Sequence, residues 1–155
     1  MANSSGVCSS FKSEVLLGKH QLGAVTLTSR TSLTAPTKDS LKAALYLSSA
    51  TTGPSNTVYT ATGEATGTGY TAGGIAVTNA TDPSTSGTTG IWTPSASLVY
   101  TTVTLGPVAA VMIYHDTPAD AALEVTTFSA PTPVAATLTL TMPTHAAGTA
   151  LLNLA

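Results

Sequence analysis

One group of ionisable side chains in the sequence consists of His115, Asp116, Asp120 and Glu124, in a segment between two apolar runs. Carboxylates combined with loop carbonyl oxygens are typical ligands of a calcium ion. The spacing here matches no known calcium-binding loop, and an Asp followed by Thr and Pro is typical of a solvated turn. His115 and Asp116 are also neighbours, which on a strand places them on opposite faces and disfavours a catalytic triad. We therefore predict a solvated turn here, and the question of a bound ion stays open.

A glycine-rich segment, residues 67–74 with the sequence GTGYTAGG, is the most motif-like part of the chain. A phosphate-binding loop would end in Lys-Ser or Lys-Thr and lead into a helix. No Lys follows position 42, and the glycine spacing also differs from the G-x-G-x-x-G pattern of dinucleotide-binding proteins. We interpret the segment as a tight turn or a subunit contact that needs glycine.

Sequence patterns for other chemistry are missing. The chain contains no G-x-S-x-G, no H-E-x-x-H and no Cys/His metal-ligand spacing. His20 and His145 have no carboxylate close by in sequence, and Cys8 is the single cysteine, so an internal disulfide is impossible. We therefore predict that the protein is not an enzyme and that it has no catalytic residues, no metal ligands and no cofactor.

The segments that carry these residues are predicted to be strands and the turns between them. In residues 41–47 apolar side chains alternate with Lys42, Ala44 and Tyr46, which predicts a half-buried strand. Further strand candidates are bounded by Gly, Pro or Asp; they are residues 58–62, 75–79, 97–105, 108–115, 123–128, 136–142 and 150–154. Residues 63–74 are interpreted as a loop or a bulged edge strand, and residues 81–90 as a long polar turn. Short strands separated by regular turn signals predict an all-β, jelly-roll-like β-sandwich over residues 38–155.

Residues 1–37 are predicted to form a short helix and an extended arm in front of that body. Ser9 and Ser10 precede Phe11 and Val15, which are four positions apart, and Gly18 follows. A serine cap, a helical apolar spacing and a terminal glycine are typical of a short helix. Two turns of helix need packing to be stable. Residues 21–37 are rich in Thr and Ser and are interpreted as an arm or a weakly marked strand.

Charged residues are scarce and unevenly distributed. They make up 8% of the chain, against about 25% in typical soluble domains. All five basic residues lie in the first 42 positions, where two acids leave a net charge of +3, whereas residues 43–155 hold five acids and no base. So few charges indicate that other protein covers much of the surface. The basic N-terminal part predicts docking onto an acidic neighbour or an adjacent copy.

Two classes of partner are disfavoured by the same composition. The five basic residues form no dense patch, and the acidic body would repel phosphate, so we predict no binding to nucleic acid. The longest apolar run, residues 108–114, is too short to span a bilayer, so we predict no membrane contact. The N-terminus lacks the pattern of a secretory signal.

Several segments form a further pattern when they are taken in order: residues 10–16, 41–50, 59–64 and 67–74, then Trp92, residues 112–116 and the C-terminal strand pair around 138–154. In order and spacing over most of the chain, these segments resemble a family of small virion proteins of tailed bacteriophages. Residues 25–36 differ from the short linker usual at that place and are interpreted as an insertion.

The resemblance implies a structural component of the virus particle. We favour a capsid decoration (cement) protein on the outer surface of the head, assembled in the host cytoplasm, because such a protein needs a charge-poor body and extended ends. Its partners would be the major capsid protein and further copies of itself, as a dimer or trimer. Two alternatives stay open: a collar or fibre-associated protein of the neck or tail, and a carbohydrate-binding module on the virion exterior.

The residues predicted to bind the partner all lie in the N-terminal part. Exposed ion pairs contribute only about 0–1 kcal/mol each, so apolar side chains are expected to supply most of the binding free energy. The predicted set is Phe11, Lys12, Val15, Leu16, Leu17, Lys19, Arg30 and Lys38.

Overall fold

The computed structural model describes residues 3–16, 19–24, 37–116 and 119–154. In these residues the backbone forms one short helix and eleven strands, and every strand pair is antiparallel. In chain order the elements are β1 (Gly6–Val7), α1 (Ser9–Leu16), β2 (Leu41–Leu47), β3 (Gly67–Thr68), β4 (Ile75–Ala76), β5 (Ser84–Ser86), β6 (Thr89–Trp92), β7 (Leu98–Leu105), β8 (Val108–His115), β9 (Ala122–Thr127), β10 (Ala136–Leu140) and β11 (Leu152–Leu154). The predicted all-β class is confirmed.

The largest sheet contains five strands in the order β1-β9-β8-β2-β4. Its central strand, β8, is apolar at nearly every position and is buried along almost its whole length. Strand β2 pairs with β8 over its full length. The prediction that β2 is half-buried is wrong, because Ala44 and Tyr46, expected to point away from the core, are fully buried. Other parts of the chain therefore cover both faces of this sheet.

Two three-stranded sheets, β10-β7-β3 and β11-β6-β5, complete the described architecture. Along β7, buried and exposed side chains alternate over most of the strand. The Tyr100 hydroxyl on the buried side donates a hydrogen bond of 2.9 Å to the Ala43 carbonyl oxygen of β2. In the other small sheet, the cross-strand partners Trp92 and Leu152 are both buried. Each small sheet thus adds one apolar side to the common core.

The described N-terminal residues pack against the body. In the first strand, Gly6 pairs with Val125 of β9, and the Cys8 amide then donates a 2.8 Å hydrogen bond to the Leu123 carbonyl oxygen. The helix α1 begins directly afterwards, and its Phe11 is fully buried. This packing supplies the support that a helix of eight residues needs. The predicted helix is present, whereas the predicted insertion at residues 25–36 lies outside the described residues.

Polar and glycine-rich segments contain strands that periodicity did not predict. The predicted turn at residues 81–90 holds β5 and the beginning of β6, whereas residues 63–74, predicted as a loop or a bulged edge, hold the edge strand β3. Conversely, the predicted strand at 58–62 amounts to an isolated bridge between Val58 and Ala121. Gly74 passes so close to β2 that a Cβ atom would collide with the Ala43 carbonyl oxygen, which explains a glycine there.

In the described part of the chain, no helix has the length and apolar character needed to cross a membrane.

Candidate functional site

Phe11 differs most from the role that the sequence analysis gave it. Its side chain is fully buried in the chain's own core, and its ring lies against the His20 ring with 4.9 Å between centroids. In this fold Phe11 therefore holds α1 on the body and is not available to a partner. The physical reason is that a two-turn helix is stable only when its apolar side chains pack, and Phe11 is the largest of them.

The other predicted partner-binding residues have varied surroundings. Val15 is exposed, and Lys12 is exposed on the same helix. The backbone of Leu16 ends the helix, but its side chain lies outside the description. Leu17 and Arg30 lie outside the described residues altogether.

Basic residues in the described part of the chain pair with acids of the same chain. The pairs are Lys19 with Glu14 at 3.7 Å, Lys38 with Asp82 at 2.6 Å and Lys42 with Asp116 at 2.7 Å. The Lys38 ammonium, helped by the Ala24 amide, holds the pKa of the Asp82 carboxyl below its usual value. These three lysines therefore pair within the chain. Of the predicted partner-binding residues, Lys12 and Val15 are the ones that the described surface leaves available to a partner.

A charge-free surface covers the sheet β10-β7-β3. Neither this sheet nor the sheet β11-β6-β5 contains a charged residue in its strands. We define the outer face by five of the exposed side chains on the sheet β10-β7-β3: Thr68, Val99, Thr101, Thr104 and Thr139. Two cross-strand pairs, Thr139 with Val99 and Thr68 with Thr104, contribute four of these. Threonine side chains present a methyl and a hydroxyl group, so this face can pack against protein with little desolvation of charge.

The free edge of the outer face carries no charge and no proline, although its pairing with β7 is irregular between Ala136 and Leu138. Edge strands in monomeric proteins commonly hold Lys, Pro or a charge that discourages pairing with another chain. Strand β10 (ATLTL) is an edge of its sheet and holds none of these. Just before it, Val134 is exposed at 71%. The outer face and this edge together form the candidate interaction surface.

Glu64 is the centre of a buried polar network, which we call the tyrosine centre. Its carboxylate accepts hydrogen bonds from the Tyr59 hydroxyl at 2.5 Å, the Tyr70 hydroxyl at 2.7 Å and the Gly73 amide at 2.7 Å. Three donors compensate the carboxylate for its loss of water. The Tyr70 hydroxyl also accepts a hydrogen bond from the Leu45 amide, so the network fastens the glycine-rich loop to β2.

The chemistry of the tyrosine centre is structural. Burial, followed by the hydrogen bond to Glu64, raises the pKa of Tyr59 and Tyr70 well above the usual value. Burial likewise raises the pKa of Tyr114 to about 12, and its ring stacks on Tyr59 with centroids 4.7 Å apart. These hydroxyls stay protonated donors at neutral pH, so they supply hydrogen bonds and no general base.

A second buried cluster, which we call the histidine centre, joins residues from three parts of the chain: Glu14, His20, Asp39 and His115. His20 Nε2 lies 3.0 Å from Glu14 Oε2, and His20 Nδ1 lies 3.4 Å from Asp39 Oδ2. Asp39 Oδ1 lies 3.3 Å from His115 Nε2. The His20 side chain is 2% exposed and that of His115 is 7% exposed. These are residue types that ligate metals, and the atoms concerned lie close together.

The sequence analysis missed the histidine centre. It treated His20 as lacking a carboxylate partner, yet the chain returns after α1 so that Glu14, six residues earlier, contacts the ring. Asp39 reaches the same place because its amide donates to the Gln21 carbonyl oxygen, and the Gln21 amide donates back to Asp39 Oδ2. No spacing rule connects residues that come together through such a tertiary turn.

The four ionisable residues around the predicted turn do not act together. His115 belongs to the histidine centre, Asp116 pairs with Lys42, and Asp120 is exposed. Glu124 is buried on β9, where desolvation raises the pKa of its carboxyl to about 8. The nearby thiol of Cys8 is also buried, and desolvation together with Glu124 raises its pKa to about 12, which makes it a poor nucleophile.

A groove of about 360 Å³ lies beside the N-terminal part, between α1 and the sheet β11-β6-β5. Its lining is mainly apolar and includes Val15, Trp92 and Leu154. His20 also lines it, so the groove leads to the histidine centre.

Comparisons of this chain with protein-family models, with curated proteins and with solved structures found no match.

Proposed function

We propose that this chain is a structural virion protein of a tailed bacteriophage, a capsid decoration protein that binds the outer surface of the head and stabilises the shell. The observation that carries the proposal is the charge-free outer face with its uncharged edge strand β10. A monomer exposed to water would normally place charges there. The resemblance of the sequence to small phage virion proteins supports the same proposal.

The proposed partners are the major capsid protein and further copies of this chain. We propose the outer face as the main contact, because Phe11 is used in the core and three lysines are paired within the chain. Lys12 and Val15 on α1 remain proposed secondary contacts. A jelly-roll-like arrangement of the sheets is part of this proposal, since that architecture offers flat faces for packing on a shell.

Copy number in purified particles tests the proposal directly. Quantitative mass spectrometry should find hundreds of copies per particle if the protein decorates the head. A dozen copies or fewer would instead favour the alternative of a collar or fibre-associated protein. Absence from particles would overturn the assignment to the virion. The other alternative, a carbohydrate-binding module on the virion exterior, predicts binding on a glycan array.

A pair of matched variants tests which surface binds. Val99 on the outer face is 43% exposed and Val58, which lies outside it, is 47% exposed. We expect Val99→Asp to prevent binding of the purified protein to undecorated particles, because it buries a charge in an apolar contact. Val58→Asp should bind like the wild type. Equal binding by the two variants would exclude the outer face, and loss of binding in Lys12→Glu with Val15→Asp would instead indicate the helix.

A further inference from the structure

We propose that His20, Asp39 and His115 form a binding site for a divalent transition-metal ion of the zinc type. The three residues offer one ligand atom each, and these atoms lie within 4.8 Å of one another. Two imidazoles and a carboxylate are a ligand set that suits zinc and its neighbours in the periodic table, and not calcium or magnesium. This proposal is independent of the proposed place in the virion.

The hydrogen bonding of His20 supports a cation at this point. Its Nε2 lies at hydrogen-bond distance from Glu14 Oε2, and an ionised carboxylate can only accept, so Nε2 carries the hydrogen. In the neutral ring Nδ1 then holds a lone pair. This atom is buried and makes no hydrogen bond, although Asp39 Oδ2 is 3.4 Å away. A buried lone pair facing a carboxylate oxygen is repulsive, and a metal ion between them would convert that repulsion into two bonds.

The distances fit a small tetrahedral ion. Zinc bonds of roughly 2.0–2.1 Å at tetrahedral angles separate neighbouring ligand atoms by roughly 3.3–3.4 Å. Each carboxylate oxygen of Asp39 lies at about this distance from one histidine: Oδ2 is 3.4 Å from His20 Nδ1, and Oδ1 is 3.3 Å from His115 Nε2. A rotation of the carboxylate would make one of these oxygens the ligand that faces both histidines. The ligand nitrogens of His20 and His115 lie within 4.8 Å of each other. Small side-chain movements would bring them to the separation of roughly 3.3–3.4 Å that a tetrahedral zinc site requires.

The surroundings hold these ligands in place. Glu14 contacts the far nitrogen of His20, which reproduces the carboxylate–histidine–metal arrangement common around zinc. The Gln21 amide donates to Asp39 Oδ2 at 2.8 Å, and the Phe11 ring packs on His20. The groove beside α1 gives an entry path. Three protein ligands leave a fourth position for water or for an atom from a partner.

A bound ion would have a structural consequence. His20 and Asp39 belong to the segments on either side of residues 25–36, and His115 ends the central strand β8. A shared metal would therefore fasten the N-terminal part to the main sheet. Because the ion binds the folded state, it would raise the melting temperature in proportion to the logarithm of its concentration.

The test uses the full chain, stripped with a chelator and titrated with Zn²⁺ by calorimetry and by thermal unfolding. We expect one ion per chain and a higher melting temperature. Asp39→Asn and His115→Gln should each weaken binding at least 100-fold, and Glu14→Gln should weaken it roughly 10-fold, as expected for a residue that orients a ligand. His145→Gln is the matched control, because His145 bonds to Ser84 and is not one of the three ligand residues; it should bind zinc like the wild type.

A second readout guards against loss of folding in a variant. Co²⁺ in place of Zn²⁺ should give the visible absorption bands of a four-coordinate ion in the wild type and in His145→Gln. Asp39→Asn is nearly isosteric, so circular dichroism should show it folded while these bands are lost. Absence of saturable Zn²⁺ binding in the wild type, or unchanged binding in both Asp39→Asn and His115→Gln, would overturn the proposal. In that event, the contacts of His20 with Glu14 and Asp39 would be structural.

Discussion

The tyrosine centre and the histidine centre are both buried polar clusters, but they differ in how completely their atoms are paired. At Glu64, three donors converge on one carboxylate. At His20, one ring nitrogen makes no hydrogen bond although a carboxylate oxygen is near. A fully paired cluster stabilises the structure that contains it, whereas an incompletely paired one indicates a missing proton, ion or partner. This difference supports a structural role for the tyrosine centre and the proposal of ion binding at the histidine centre.

The largest effect is expected from Glu64→Ala. The variant leaves two tyrosine hydroxyls and the Gly73 amide without their acceptor, so the free energy of unfolding should fall by about 4 kcal/mol. Urea denaturation followed by tryptophan fluorescence measures this. Asp120→Ala, at an exposed position, should change stability by less than about 0.5 kcal/mol. A loss below about 1 kcal/mol for Glu64→Ala would mean that water replaces the carboxylate and that the network is not structural.

Phe11→Ala should have the next largest effect, because it removes the ring that packs on His20. A fully buried phenylalanine leaves a cavity, and we expect a loss of about 3 kcal/mol. Phe11→Leu keeps most of the volume and should lose less than about 1.5 kcal/mol. Thermal and urea unfolding measure both. Wild-type stability in Phe11→Ala would indicate that the N-terminal part is a separable arm, as the sequence analysis predicted.

The smallest effect, and a stabilising one, is expected from Glu124→Gln. Glu124 is a buried carboxylate outside both centres, and within the described structure one of its oxygens has no hydrogen-bond partner. Its pKa is raised from 4.5 to about 8, so between these values the folded state holds more protons than the unfolded state and stability falls as pH rises. At pH 8 the variant should be more stable than the wild type by up to about 2–3 kcal/mol. At pH 4 the two should be nearly equal. Urea denaturation at both pH values measures the difference, and a gap that does not change with pH would contradict the assignment.

The sequence alone was sufficient for the fold class and for the two long strands at the centre of the main sheet. The predicted strand at residues 108–115 coincides with β8, and that at 41–47 coincides with β2, because period-two alternation or a bounded apolar run is a local property. Strand β5 was missed because its Ser and Thr residues lack the apolar side chains on which periodicity depends, and β6 was missed because it begins inside the same polar segment. The short helix was predicted because its cap and spacing are also local.

What only the tertiary structure decided is which polar residues meet. The five tyrosines and Glu64 are spread over residues 46–114, and the histidine centre joins residues 14, 20, 39 and 115. Contacts across such separations depend on how the sheets pack, which no spacing in the sequence specifies. The same is true of Phe11: its type predicted an apolar contact, but whether that contact is a partner or the chain's own core depends on where the helix packs. The sequence specifies the type of each side chain, whereas its burial and its contacts depend on how distant segments pack together and exclude water.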